Sequence, residues 1–140
     1  MEAAFAVALG AALAIISSYV LNRQSSRLEF RRSAADRLVE SLVATIRALA
    51  RYRRAELART HQRDDARSLA ARTARLECQE CIAVVGILLG REDTSEHLNN
   101  FVHQIRQVSE QDDPIESIAM ADSIMDDAIR YLMTLRAEIS

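Results

Sequence analysis

Apolar residues fall into two patterns along this chain. Ala3 to Asn22 is a run of twenty residues without a charge, and beyond it apolar positions recur at the three- and four-residue spacing of amphipathic helices. As a helix the first run would be about 30 Å long, the thickness of a bilayer's hydrocarbon core. Phe5, Val7, Leu9, Leu13, Ile15, Ile16, Val20 and Leu21 supply most of its hydrophobicity, and Arg23, Arg27, Arg31 and Arg32 follow at once. A cationic flank of this kind marks the cytoplasmic side of a span. The pattern predicts a transmembrane anchor over residues 1–22, with the N-terminus outside, and a cytoplasmic region over residues 23–140. The chain is thus expected in the cell membrane as a single-pass protein with the lipid bilayer as partner. A cleaved signal peptide fits less well, because Glu2 and no basic residue precedes the run. Within the anchor, Ala6, Gly10 and Ala14 recur every four residues, the spacing that lets two helix backbones approach, so this face is a candidate for self-association.

No Gly or Pro interrupts Ala11 to Val85, so the anchor is expected to continue into a long helix, with Ser25 and Ser26 the place for a kink. Leu28, Ala35, Val39, Leu42, Ile46 and Leu49 give this helix a seam, widened by Leu38, Val43 and Ala50. The polar stretch Thr60 to Asp65 predicts a reversal, with Asp64 or Asp65 capping a second helix. That helix has the stripe Ala71, Ala74, Cys78, Cys81, Val85 and Leu88. Its end, Ile82 to Leu89, is apolar on nearly every side and is expected to be buried all round. Gly90 reads as its terminator, and Asp93 with Glu96 as a capping box for a third helix bearing Leu98, Phe101, Val102, Ile105 and Val108. Asp113, Pro114 and Glu116 open a fourth, with Ile118, Ala121, Met125, Ala128, Leu132 and Leu135 on one face. The predicted fold is all-α: an N-terminal single transmembrane helix continuing into an antiparallel bundle of about four helices.

Composition sharpens this picture. Three Gly, one Pro and 4% aromatic residues against 49% apolar ones exclude an all-β fold, and 140 residues suit one domain. Charge is unevenly divided: Arg23 to Arg75 holds fourteen Arg against six acids, whereas Leu76 to Ser140 holds four Arg against thirteen acids. A basic first helix beside an acidic fourth would neutralise part of this asymmetry within the molecule and set which helices are neighbours. The basic cluster Arg51, Arg53 and Arg54 around Tyr52 is short and reads as a solvated face, so nucleic acid is not an expected partner.

The pattern closest to a reactive constellation is Cys78-x2-Cys81, followed by His97 and His103, which falls within the outer limits of a zinc-ligand spacing. Two features oppose it. On one helix His97 and His103 would stand about 120° apart, and Glu77 and Glu80 disfavour the thiolates that metal binding requires. The cysteines are therefore expected to be core residues, with no metal and no cofactor. Neither a nucleophile–base pair nor a phosphate loop is recognisable, so the chain is not expected to be an enzyme, and no small-molecule substrate is indicated. The sequence points to a membrane-anchored scaffold or adaptor with a protein partner or a second copy of itself. The alternative is a metal- or redox-responsive sensor built on Cys78, Cys81 and His97 or His103.

Overall fold

A computed structural model describes residues 2–139, with side chains described for residues 10–138. Its regular structure is four helices: α1 (Glu2–His61), α2 (Asp65–Leu89), α3 (Glu92–Val108) and α4 (Pro114–Ile139). The chain divides into two compact units, Met1–Asp36 and Arg37–Ser140.

In the first unit α1 is uninterrupted at Ser25 and Ser26, and the Ser25 hydroxyl donates to the Asn22 carbonyl at 3.0 Å. Every side chain of residues 10–34 is exposed, Leu28 and Phe30 among them. Leu28 therefore does not head a buried seam. Among the described residues no helix is long and apolar enough to cross a membrane. The side chains of residues 1–9, Ala6 included, lie outside the described residues, and the thirteen positions from Gly10 to Asn22 are too few for a span by themselves.

In the second unit, each helix runs antiparallel to its sequence neighbour. Arg51 faces Glu77 while Glu56 and Arg59 meet Ser68 and Arg72, so α1 and α2 run in opposite directions. Gly86 abuts Ser95, and Arg75 lies by Arg106, across α2 and α3. Phe101 approaches Tyr131, and the Val108 carbonyl accepts from the Ser117 hydroxyl, across α3 and α4. Val39 to Ile46 lie against Leu132 to Arg136, whereas Arg53 pairs with Asp122, so α4 closes antiparallel on α1. That last ion pair links the basic first helix to the acidic fourth.

The buried line of α1 is Leu38, Leu42, Thr45, Leu49, Tyr52 and Glu56, in alternating steps of four and three. This is displaced from the seam that hydrophobicity alone predicts: Val39 and Val43 are exposed, and Ile46 is only partly buried. Local hydrogen bonding and ion pairing explain how polar residues occupy the inner line. Thr45 donates its hydroxyl to the Ser41 carbonyl at 2.8 Å, and Glu56 is ion-paired with Arg59. On α2 the buried residues are Ala71, Ala74, Cys78, Ile82, Val85 and Gly86. Burial all round Ile82 to Leu89 is not found, since Val84, Ile87 and Leu88 are exposed. A helix with two neighbours is covered on only part of its circumference. On α3 all five predicted apolar residues are buried. On α4 Ala121, Ile124, Met125, Ala128, Leu132 and Leu135 are buried, but Ile118 is exposed. Ser117 takes the inward place, its hydroxyl donating to the Asp113 carbonyl at 3.0 Å.

Three boundaries follow from local chemistry. Asp64 accepts from the Arg67 N–H at 2.7 Å and caps α2. Gly90 ends that helix in the left-handed region at φ 62°, and the Arg91 N–H reaches back to the Gly86 carbonyl at 3.3 Å. Asp113 accepts from the Ile115 N–H at 2.9 Å, with Pro114 opening α4. The expected Asp93–Glu96 box at the start of α3 is not formed. The turn at Gly90 delivers the chain into α3 after Arg91 alone, which is an N-cap without a side-chain bond, so Glu92 and Asp93 lie inside the first turn.

A basic cleft as candidate functional site

Arg75 and Arg106 project from α2 and α3 into two adjoining hollows of about 300 and 190 Å³. Helical spacing builds the walls. On α2, Ser68, Arg72, Arg75 and Gln79 follow one another at three- and four-residue steps, and Asn99, His103 and Arg106 do the same on α3. The larger hollow is lined by Arg75, Gln79, Asn99, Val102, His103 and Arg106. Its smaller neighbour adds Glu56 and Arg59 of α1, together with Ser68, Ala71 and Arg72.

Beneath this surface lies a buried polar group of side chains on α1. Glu56 is 3% exposed, and Arg59 Nε faces its Oε2 at 3.2 Å as an ion pair without hydrogen-bond alignment. Arg59 also donates to Ser109 Oγ at 2.6 Å, and Arg63 donates to the Ser109 carbonyl at 2.9 Å. Tyr52 is fully buried, with its hydroxyl beside the Glu56 carboxylate. Burial, then the charge of Glu56 and a hydrogen bond to it, push its pKa up, opposed by Arg75 and Arg106. Among the described residues, Arg72, Arg75 and Arg106 have no carboxylate in ion-pair contact. Guanidinium groups gathered in a concave site concentrate positive potential and offer planar forks of N–H donors, an arrangement that can hold an anion.

The residues singled out by sequence are distributed differently. Cys78 is buried on α2, where burial, then Cys81 and Glu77, push its thiol up to about 12. Cys81 is partly buried, and its pKa is also raised, first by burial, with Arg51 opposing and Glu80 and Glu77 adding. Both thiols are free and held in their protonated form. His97 packs edge-on against Phe101, with ring centroids 5.3 Å apart, and lies 4.2 Å from the Tyr131 ring of α4. His103 instead lines the cleft toward α2, with Gln107 at 3.3 Å. The two histidines thus serve different flanks of α3. Among the described residues, no three His, Cys, Asp or Glu side chains gather as a metal site.

Arg23, Arg27 and Arg31 border a shallow groove with Ser26 and Phe30 in the first unit, and Arg32 is exposed. Gly10 and Ala14 are exposed, and nothing lies within 4 Å of where a Gly10 Cβ would stand. The basic cluster around Tyr52 is divided: Arg51 lies 3.8 Å from Glu77, Arg53 pairs with Asp122, and Arg54 is exposed. Tyr52 itself turns inward. Sequence reasoning missed the cleft, although polar Thr45, Tyr52 and Glu56 at core spacing were a signal that something hydrophilic sits inside α1.

No family model matches this sequence, and no curated protein or solved structure shows significant similarity to it.

Proposed function

We propose that this chain is a single-pass membrane protein whose helical bundle is a scaffold or adaptor rather than an enzyme. The observation that carries this reading is the order of residues in the first helix: twenty uncharged positions from Ala3 to Asn22, then Arg23, Arg27, Arg31 and Arg32 within the next ten. Insertion of that run places the arginines at the cytoplasmic headgroups, where each basic residue contributes about 1 kcal/mol with anionic lipid. The bundle then faces the cytoplasm.

A protein partner is supported by α2, which leaves Leu69, Leu76, Val84, Ile87 and Leu88 in solvent, with Ile87 79% exposed. Large apolar side chains left in water along one helix are a surface that a protein partner can cover. The cleft residues include no paired nucleophile and base, which favours binding over catalysis.

Alkaline carbonate washing tests the anchor: the full chain is expected to stay with the membrane pellet. Reporters fused ahead of Ala3 and after Ser140 are expected to signal from opposite faces. Release into the supernatant, or two reporters on one face, refutes the reading. Crosslinking in native membranes then identifies the partner.

A further inference from the structure

We propose that the cleft shared by Arg75 and Arg106 binds a small phosphorylated molecule, with its phosphoryl group in the larger hollow and a hydroxylated organic part in the smaller one. The two guanidinium groups come from different helices and have no carboxylate in ion-pair contact among the described residues. In the larger hollow they are joined by the amides of Gln79 and Asn99 and the ring of His103. Donors arriving from two helices suit an anion whose oxygens point in several directions. A planar carboxylate is satisfied by one arginine fork.

No carboxylate lines this hollow, so nothing in its wall repels the anion, and the repulsion between two arginines lining one hollow is relieved when one binds. A volume of about 300 Å³ is at the lower end for ligand sites and leaves room beyond a phosphate.

The adjoining hollow differs in chemistry. Glu56 lines it, 3% exposed, with Oε2 in an ion pair with Arg59 but accepting no aligned hydrogen bond from it. Tyr52 is fully buried behind it, with its hydroxyl beside the Glu56 carboxylate. A carboxylate has more lone pairs than these two neighbours use, so Glu56 can also accept from ligand hydroxyls. A phosphate at one end and hydroxyls at the other describe a sugar phosphate or a related phosphorylated polyol.

Titration calorimetry on the full chain in detergent, with glucose 6-phosphate, inorganic phosphate and glucose as probes, tests this. Glucose 6-phosphate is expected to bind saturably, phosphate more weakly and glucose not at all. Arg75→Gln and Arg106→Gln are each expected to weaken binding by about tenfold or more, as loss of a charge-assisted hydrogen bond does. Arg54→Gln, exposed and outside the cleft, is expected to change nothing. Thermal unfolding confirms that each variant is folded, and Arg106→Lys, which keeps charge but loses the fork, is expected to recover part of the affinity.

Absence of saturable binding by both phosphate-bearing probes overturns the proposal, as does binding indifferent to both Gln variants. Vesicles containing phosphatidic acid form the last arm: binding to them without binding of either soluble phosphate assigns the phosphoryl group to a lipid headgroup and overturns the small-molecule ligand.

Discussion

Leu49 and Val43 stand less than two turns apart on α1, yet Leu49 is 0% exposed and Val43 41%. The pair therefore tests whether the Leu49 side of α1, and not the Val43 side, faces the core. Leu49→Ala deletes three buried carbons, a transfer loss of about 2.4 kcal/mol at about 0.8 kcal/mol each. The void adds to this, because Leu49 belongs to a cluster drawn from all four helices that cannot collapse freely around it. The expected cost is about 3–4 kcal/mol, within the range for such truncations. Val43→Ala deletes two carbons from a side chain already partly in water and is expected to cost about 1 kcal/mol or less. Small domains have about 5–15 kcal/mol of stability in all, so the first variant loses a large share and the second little. Urea unfolding of the full chain in detergent, followed by circular dichroism, measures both. Equal losses, or a larger loss at Val43, would refute the burial of Leu49 and the exposure of Val43 on which the inner line of α1 rests.

Other substitutions probe the connections and the thiols. Gly90→Ala places a side chain at φ 62° and is expected to cost about 1–2 kcal/mol by thermal or urea unfolding, with Gly90→Asn costing less. A Cβ on Gly86 would overlap the Ser95 hydroxyl, whereas its distance to Ser95 Cβ would be 3.4 Å. Gly86→Ala is therefore expected to be stabilising by about 1 kcal/mol only on a Ser95→Ala background, where the helix-propensity gain is unopposed. Folding raises the Cys78 pKa from 9.0 to about 12, so the folded state holds this proton more tightly. The associated stability is complete below about pH 9 and is lost as pH rises toward about 12, by at most about 1.4 kcal/mol per pH unit for one group. Urea midpoints across that interval are expected to fall, and to fall less steeply for Cys78→Ala. At neutral pH a thiol reagent is expected to label the partly buried Cys81 before the buried Cys78, and mass spectrometry distinguishes the two.

The features readable from sequence were those decided within a few residues. Asp64, Gly90 and the Asp113–Pro114 pair set helix ends through their own backbone and side-chain geometry, and the single strong stripe of α3 admits one buried face. Features that depended on neighbours were less accessible. The line Val39–Ile46 is more apolar than Leu38–Thr45–Tyr52, and only contact with Arg59, or with the Ser41 carbonyl, makes Glu56 and Thr45 acceptable inside. At the end of α2, an all-round apolar composition hides which sides the neighbours leave open, as the exposure of Ile87 illustrates. The cleft was hardest to foresee because Arg75 and Arg106 meet only after α3 has folded back along α2. Asp93 shows the converse: a motif with suitable spacing yielded to a turn at Gly90 that starts the next helix too early for it to act.

The pairing of Arg53 with Asp122 joins residues separated by 69 positions, which gives biosynthesis a timetable. At about 5–20 residues per second, α1 leaves the ribosome several seconds before the helix that will cover it. The later hairpins, α2 with α3 and α3 with α4, join adjacent segments and close rapidly. During that wait the inner line of α1 meets water through a hydroxyl, a phenol and a carboxylate as well as through leucines. Nascent α1 is thereby less adhesive than an all-leucine strip, and its inner side chains are enclosed only once α4 has been made.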